Sequence, residues 1–553
     1  MAPAAQPAAQ RVLRGPGQRP AGRRGGPGSG ALGERSSHRP RRRPAARRLP
    51  GRTGRALGLR AGHRRRPPAA LRPLVSAPDT AFESPLAARY ASPAMAALFS
   101  PRRRVLAWRD LWIALAESQQ ELGLPITPAQ IAALRAARED LDWARAESLE
   151  RELRHDVMAH VHVFGEKAPE ARGILHLGAT SCDVTDAADL LLMREGLRIV
   201  HARLLGVIRA LRDFAAAQRA QPILGFTHFQ PAQPVTLGKR ASLWLQDFLL
   251  DLERLEPLVE ALPFRGIKGA TGTQASFLQL FGGDHAKVRE LERRVAAKMG
   301  FRRIVPVTGQ TYPRKWDCLV LEALAGVGVS ASKLAVDLRL LAHRRELEEP
   351  FGSRQIGSSA MPYKRNPMRC ERISSLSRFL IELMPNAHHT AANQWLERTL
   401  DDSANRRLAI PESFLAADAV LLLAQEVVSG LVVYPRVIER NLRSELPFLA
   451  VEELLLAAVQ GGGDRQELHE RLRVHAREAA ARLKAGDGEN DLLARIGADP
   501  AFARIREALP ALLDPARFIG RAPEQVDEFL TEVVDPLLAA RRDVRIPEGE
   551  VRV

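Results

Sequence analysis

Three polar segments interrupt a chain that otherwise reads as long apolar helices, and each carries side chains able to move a proton or hold an anion. The longest is Gly357-Ser358-Ser359-Ala360-Met361-Pro362-Tyr363-Lys364-Arg365-Asn366-Pro367, with Glu371 shortly after it. Gly and Ser supply mobility, Lys364 and Arg365 positive charge, and Asn366 a neutral donor. Composition alone describes a basic Gly/Ser linker. A linker is out of place between two long core helices, however, and mobile loops that close over a site are a common catalytic device. The second segment is Gly225-Phe226-Thr227-His228-Phe229-Gln230-Pro231-Ala232-Gln233-Pro234. Its prolines forbid a regular helix and hold His228 in a rigid turn. A lone histidine in such a turn is more often structural than catalytic until other residues speak for it. The third, Gly178-Ala179-Thr180-Ser181, sets two hydroxyls beside helix-start amides. That arrangement serves as an N-cap and equally as a cradle for a carboxylate.

The elements that must position these segments are helical. Trp108, Leu111, Trp112, Leu115 and Leu122 recur at helical spacing. Thr127-Pro128-Ala129-Gln130 is a capping box with proline in the first turn. Long helices are predicted over about 184–219, 236–261, 285–299 and 316–348. In the last, Leu321, Leu324, Val327, Ala331, Leu334, Leu338 and Leu341 mark one face. Helices of this length need partners along their whole extent, which predicts a bundle. The apolar stretch Leu415–Tyr434 carries Asp418, Gln425 and Glu426 and reads as a buried helix rather than a membrane span. Gly326-Val327-Gly328 lies inside a helical pattern with no preceding strand, so it is not a dinucleotide loop.

The formal charge of +18 suggests a nucleic-acid partner until it is located. Of 82 Lys+Arg and 64 Asp+Glu, residues 1–78 hold 19 Arg and only Glu34, leaving 63 of each sign for the rest. The body is therefore electrically balanced and gives no sign of a polyanion partner. The first 78 residues are rich in Arg, Ala, Pro and Gly and contain no aromatic residue, the first being Phe82. Such a segment buries too little apolar surface to order itself and is expected to be a disordered extension. It has no ring on which a base would stack, and its prolines and glycines suit an amphipathic transit helix poorly. Three cysteines, Cys182, Cys318 and Cys370, without metal-ligand spacing, suit a reducing compartment, and no metal is expected.

Taken together, GSSAMPYKRNP, RHDVMAHV (154–161), GFTHFQPAQ (225–233) and RTLDDSANRR (398–407) resemble the fumarase/aspartase superfamily and, within it, the adenylosuccinate lyases of animal type. The resemblance runs from about Ser84 to the C-terminus. It implies an all-α, three-domain fold with a long central helical bundle and a tetrameric helical core. The expected domains are 79–180, 181–433 with the signature loop 351–367, and 434–553, after the 1–78 extension. It implies β-elimination of fumarate from adenylosuccinate, and from the succinyl-aminoimidazole-carboxamide ribotide (SAICAR), in a cytoplasmic homotetramer whose sites are shared by three subunits. Small molecules are the expected partners; no organic cofactor, nucleic acid or membrane is implied.

The reaction needs a base, an acid for the departing nitrogen and cations for the carbanion. By resemblance Ser358 is the base, although residue types alone do not separate it from Ser359. His228 is the acid, Glu371 orients it, and Lys364 and Asn366 hold the carboxylate that gains charge. Thr180, Ser181 and Gln310 match succinyl or nearby contacts. Arg89 and Tyr90 match nucleotide contacts, and Arg398, Ser403 and Arg407 suit a phosphate, because a guanidinium pairs two oxygens at once. Arg154, His155, Asp156 and Arg372 match further substrate contacts. The chain departs from the pattern at Asp183, where an aromatic residue is expected; an extra negative charge there would weaken anion binding, so Cys182 and Asp183 are left out of the site. Rival readings are another lyase of the superfamily, a crystallin-like structural protein, and an RNA-binding protein acting through residues 1–78.

Overall fold

The computed structural model describes residues 82–547 and 549. The extension expected over 1–78 lies outside the described residues. From Phe82 onward the fold is helical, with two two-stranded antiparallel ribbons.

Among the described residues, six long helices belong to the central core: α1 (Pro101–Glu121), α2 (Ser181–Ala217), α3 (Leu237–Ala261), α4 (Lys315–His343), α5 (Met368–Ala392) and α6 (Asp401–Ser429). Ser100 caps α1 by accepting from the Arg103 amide at 3.2 Å. The capping box at Thr127 forms as read: the Gln130 amide donates to Thr127 Oγ1 at 3.2 Å and the Thr127 amide to Gln130 Oε1 at 2.9 Å. The α2–α6 helices pack into a bundle around one apolar core. All seven residues assigned to the inner face of α4 are buried. Gly196 lets α2 approach α6, because a Cβ there would lie 2.7 Å from the Phe414 ring. By length and composition α4 and α6 are apolar enough to cross a membrane, yet those stretches are 61% and 78% buried within the protein.

The helix predicted over 316–348 stops early. His343 ends α4, Arg345 takes a left-handed conformation (φ 60°), and Leu347–Glu348 pairs with Val432–Val433. Hydrophobic periodicity carries no sign of this stop, since Leu347 is buried in either conformation. The Pro-rich segment 225–234 becomes a hairpin, β1 (Pro222–Thr227) with β2 (Gln230–Thr236). Pro231 and Pro234 sit on β2 of this two-stranded ribbon, where a missing N–H is tolerated.

The segment 434–553 divides between two cores. Leu454, Leu468, Leu472, Leu492, Ile496 and Phe502 form a separate cluster. The chain then returns, and Val526, Leu530 and Val534 join the central core. The three cysteines are buried and unpaired.

Candidate active site

A cleft of about 370 Å³ opens where the start of α2, the start of α6 and the N-terminus of the helix Asp156–Lys167 meet α1. It is lined by eight of the residues singled out from sequence: His155, Asp156, Thr180, Ser181, Gln310, Arg398, Ser403 and Arg407. His155 N-caps its helix, its Nδ1 accepting from the Met158 amide at 3.4 Å, while Nε2 lies 3.2 Å from Ser181 Oγ. An Nδ1 acceptor places the neutral ring's proton on Nε2, which then donates to Ser181. Arg407 pairs with Asp156 at 2.8 Å. Arg398 donates to Cys182 Sγ at 3.1 Å and lies 3.9 Å from Asp402. The Gln310 amide is fixed by the Glu397 carbonyl at 2.9 Å.

Beneath this lining runs a buried lattice of charge. Arg314 bridges Asp186 (3.0 Å) and Asp402 (2.7 Å), and Arg406 pairs with Asp317 (2.8 Å) and Asp189 (3.0 Å) and bonds to the Tyr312 hydroxyl. Burial alone would raise the Asp186 pKa, but the charges of Arg314 and Arg406 outweigh it and hold the carboxyl below its usual value. At Asp189 burial wins, and the pKa rises. Such a lattice fixes the helix starts that carry the cleft, since breaking one partner would strand a buried charge.

Asp183 does not weaken the cradle. Its side chain is 1% exposed and turned inward. It pairs with buried Arg265, and accepts from the amides of Thr180 (2.8 Å), Lys268 (2.8 Å) and Gly269 (3.2 Å). The expected negative charge is thus spent on capping α2. Arg265 in turn donates to the Gln310 carbonyl at 3.0 Å. Cys182, which its motif does not assign to the site, lines the cleft. Burial pushes its thiol up to about 11, so it serves as a neutral acceptor for Arg398 rather than a nucleophile.

The remaining residues lie elsewhere. His228 and Phe229 are the two central residues of the β1–β2 turn, both left-handed (φ 52° and 58°) and exposed. A two-residue turn of this kind favours Asn-Gly, so a His-Phe pair is a strained choice. Among the described residues the His228 ring has no hydrogen-bond partner, and it is not joined to Glu371. In the signature loop Gly357 must be glycine: a Cβ would lie 2.1 Å from the Lys364 carbonyl oxygen. The two serines differ. Ser358 is half-buried and its Oγ accepts from the Met361 amide at 3.2 Å, whereas Ser359 is exposed. Asn366 donates to the Gly357 carbonyl at 2.9 Å, so its amide latches the loop rather than standing free for a carboxylate. Lys364, Asn366 and Glu371 line a second cavity, of about 520 Å³, against α4. Arg372 stands with its guanidinium 5.6 Å from the Tyr90 ring centre, next to Arg89 in the turn Leu86–Tyr90. Arg154 is exposed, at the left-handed end of the helix Trp143–Leu153. Among the described residues, neither the cleft nor the second cavity holds the cleft residues, His228 and Ser358 together.

Sequence reasoning missed Arg104 and Trp108, which line the cleft from α1, the half-buried Asp189, and the buried Asp186, Arg314, Asp402 and Arg406. Arg104 stands in the run Arg102-Arg103-Arg104, which reads as solvated charge. Its spacing of four from Trp108 was the available signal. Among the described residues no group of His, Cys, Asp and Glu is placed to hold a metal.

Comparison with known proteins identifies the family of the chain. Residues 90–379 match the family model described as Lyase, and residues 447–529 the one described as adenylosuccinate lyase C-terminus. The chain is 52% identical to the adenylosuccinate lyase of Saccharomyces cerevisiae over 83% of its own length and 95% of that protein's. It is 50% identical to that of Schistosoma mansoni, covering 84% and 97%. Among solved structures, a fumarate lyase from Mesorhizobium sp. BNC1 superposes with a TM-score of 0.67 at 27% identity, covering 80% of this chain and 98% of that one. The 3-carboxy-cis,cis-muconate lactonizing enzyme of Pseudomonas putida gives 0.70 at 25%, covering 81% and 98%. By fold, by motif and by identity over most of its length, this chain belongs to the adenylosuccinate lyase family.

Proposed function

We propose that this protein eliminates fumarate from adenylosuccinate, leaving AMP, and from SAICAR, as a cytoplasmic homotetramer of the purine pathway. Family membership supports the reaction. The observation that carries the shared-site reading is that the chain presents a complete set of groups in separate places, each open to a neighbour. His228 stands exposed on its turn, Lys364 and Glu371 of the loop region line a cavity against α4, and the cleft holds anion-binding groups but neither His228 nor Ser358. A tetramer bringing one subunit's cleft to a second's hairpin and a third's loop completes the site. Leu319, Val329, Val336 and Leu340 of α4, with Leu243 and Leu250 of α3, form exposed apolar stripes suited to such packing.

In this reading Ser358, as its alkoxide, takes the proton from the succinyl carbon beside a carboxylate. The Met361 amide already donates to Oγ, and Lys364 adds charge, both of which favour the alkoxide. The electron pair spreads into the carboxylate; the C–N bond then breaks, and His228 protonates the departing nitrogen. Glu371 orients the imidazole across the subunit boundary, and Asn366 turns to the carboxylate once the loop releases its latch. Small-molecule substrates are the partners; nucleic acid, membrane and cofactor have no part.

An absorbance assay tests this directly. Adenylosuccinate should be consumed and argininosuccinate not; absence of turnover with adenylosuccinate would end the assignment. Ser358→Ala and His228→Ala should each lower kcat by about 10²–10⁴-fold with the oligomer intact. An active Ser358→Ala beside an inactive Ser359→Ala would move the base by one residue.

A further inference from the structure

Four of the five arginines that line the cleft are already committed. Arg314, Arg406 and Arg407 are paired with carboxylates, and Arg398 is tied to Cys182 and Asp402. The Arg104 side chain has no hydrogen bond and no ion pair among the described residues, and its Nε is buried without a partner. One helical turn on, Trp108 is 5% exposed, and its indole Nε1 is likewise buried without an acceptor. The indole is fixed edge-to-face on His160, with ring centres 5.6 Å apart. Residues i and i+4 share a face of a helix, and here that face is a wall of the cleft. Two orphaned donors side by side are costly unless an acceptor arrives with the ligand. Arg104 is the one cleft arginine with no ion pair among the described residues; its charge reaches Asp189, which Arg406 already pairs. It also shares a small adjoining hollow with Arg407.

We propose that Arg104 and Trp108 form an oxyanion subsite on the α1 wall of the cleft and bind an anionic group of the substrate as it enters. This rests on the reading of the cleft as the nucleotide-binding part of the site. The oxyanion is either the nucleotide's phosphate, which the nearness of Arg407 favours, or a succinyl carboxylate. Arg104 donates a charged pair of hydrogen bonds and Trp108 a single neutral one, so the arginine carries most of the affinity.

Calorimetric titration of the full-length protein with AMP, inorganic phosphate and fumarate tests the subsite apart from turnover. Arg104→Met should weaken AMP and phosphate by roughly 10- to 100-fold and leave fumarate unchanged; Trp108→Phe should weaken the same ligands by roughly 3- to 10-fold. Arg104→Lys, which keeps the charge and most of the stem, should restore part of the loss and guards against a folding defect. Weakened fumarate with unchanged AMP would support the subsite and assign it to the carboxylate. Unchanged affinity for all three ligands in both Arg104→Met and Trp108→Phe would overturn it. In steady state, the KM of Arg104→Met for adenylosuccinate should rise by a similar factor with kcat within about threefold, the mark of a contact made equally in ground and transition states. Wild-type protein that binds AMP through Arg104 but turns over no adenylosuccinate would refute the assigned reaction and leave the subsite standing.

Discussion

Asp251 shows how far burial can move a single group in this molecule. It lies on α3, 7% exposed, with Oδ2 unpartnered and Gly326 of α4 close against Oδ1. Burial pushes its carboxyl up to about 7. In the unfolded chain the same carboxyl ionises near pH 4. The folded form therefore holds its proton where the unfolded form has lost it, and the unfolded form gains as pH rises from about 4 to 7. Stability linked to Asp251 is fully present below about pH 4 and is lost as pH climbs through 7. Asp251→Asn removes the titration and keeps the shape. Thermal melts should find the variant close to wild type at pH 4 and more stable at pH 8, by an amount on the order of 1–4 kcal/mol. Equal offsets at both pH values would show that Asp251 does not titrate in this range. Nothing in the sequence marked this residue, since one Asp among the charges of 236–261 looks like any solvated carboxylate. Thr180, Ser181, Arg398 and Arg407, by contrast, were legible as cleft residues, because their motifs combine small hydroxyls and paired charge at helix starts.

At the scale of elements, the long helices could be read from periodicity because each buries one face against the same core. The signature loop could be located but not shaped. Its conformation rests on contacts that no local pattern encodes: Asn366 to the Gly357 carbonyl, Arg365 to Glu348 at 3.1 Å, and Arg365 over the Phe351 ring at 5.2 Å. Gly357 is where these contacts converge. An added Cβ would drive into the Lys364 carbonyl at 2.1 Å, and backbone cannot yield as a side-chain tip does. Gly357→Ala should therefore open the loop base without touching the bundle. The expected result is a kcat loss of about 10²-fold or more, with the melting temperature and oligomeric state near wild type. Wild-type turnover in Gly357→Ala would show that the Gly357–Lys364 approach is incidental to catalysis. The hairpin makes the same point from the other side. Its prolines announced a break, but only the pairing of β1 with β2 shows that the break sets His228 at an exposed, left-handed tip.

The whole molecule explains why part of the site stays illegible in one chain. His228, Ser358 and the cleft residues belong to elements that the fold holds in different places, although each motif taken alone points to one reaction. Charge within the chain is largely settled: Arg314, Arg406 and Arg407 of the cleft are paired with carboxylates, and the 63-to-63 charge balance of residues 79–553 leaves no net field to be neutralised. What remains open is surface chemistry, an exposed histidine and apolar stripes on α3 and α4, which further copies of the chain would cover in the proposed tetramer. If neighbouring subunits complete each site, two inactive variants should rescue one another. In a one-to-one mixture of His228→Ala and Ser358→Ala subunits, dissociated and reassembled, a site regains function when its histidine comes from one variant and its serine from the other. Random assembly places both intact groups in about one quarter of sites, so activity should recover to about a quarter of wild type. The two variants mixed without subunit exchange should stay inactive. No recovery after verified exchange would mean that one subunit supplies both His228 and Ser358 to each site, and the three-subunit reading would fall.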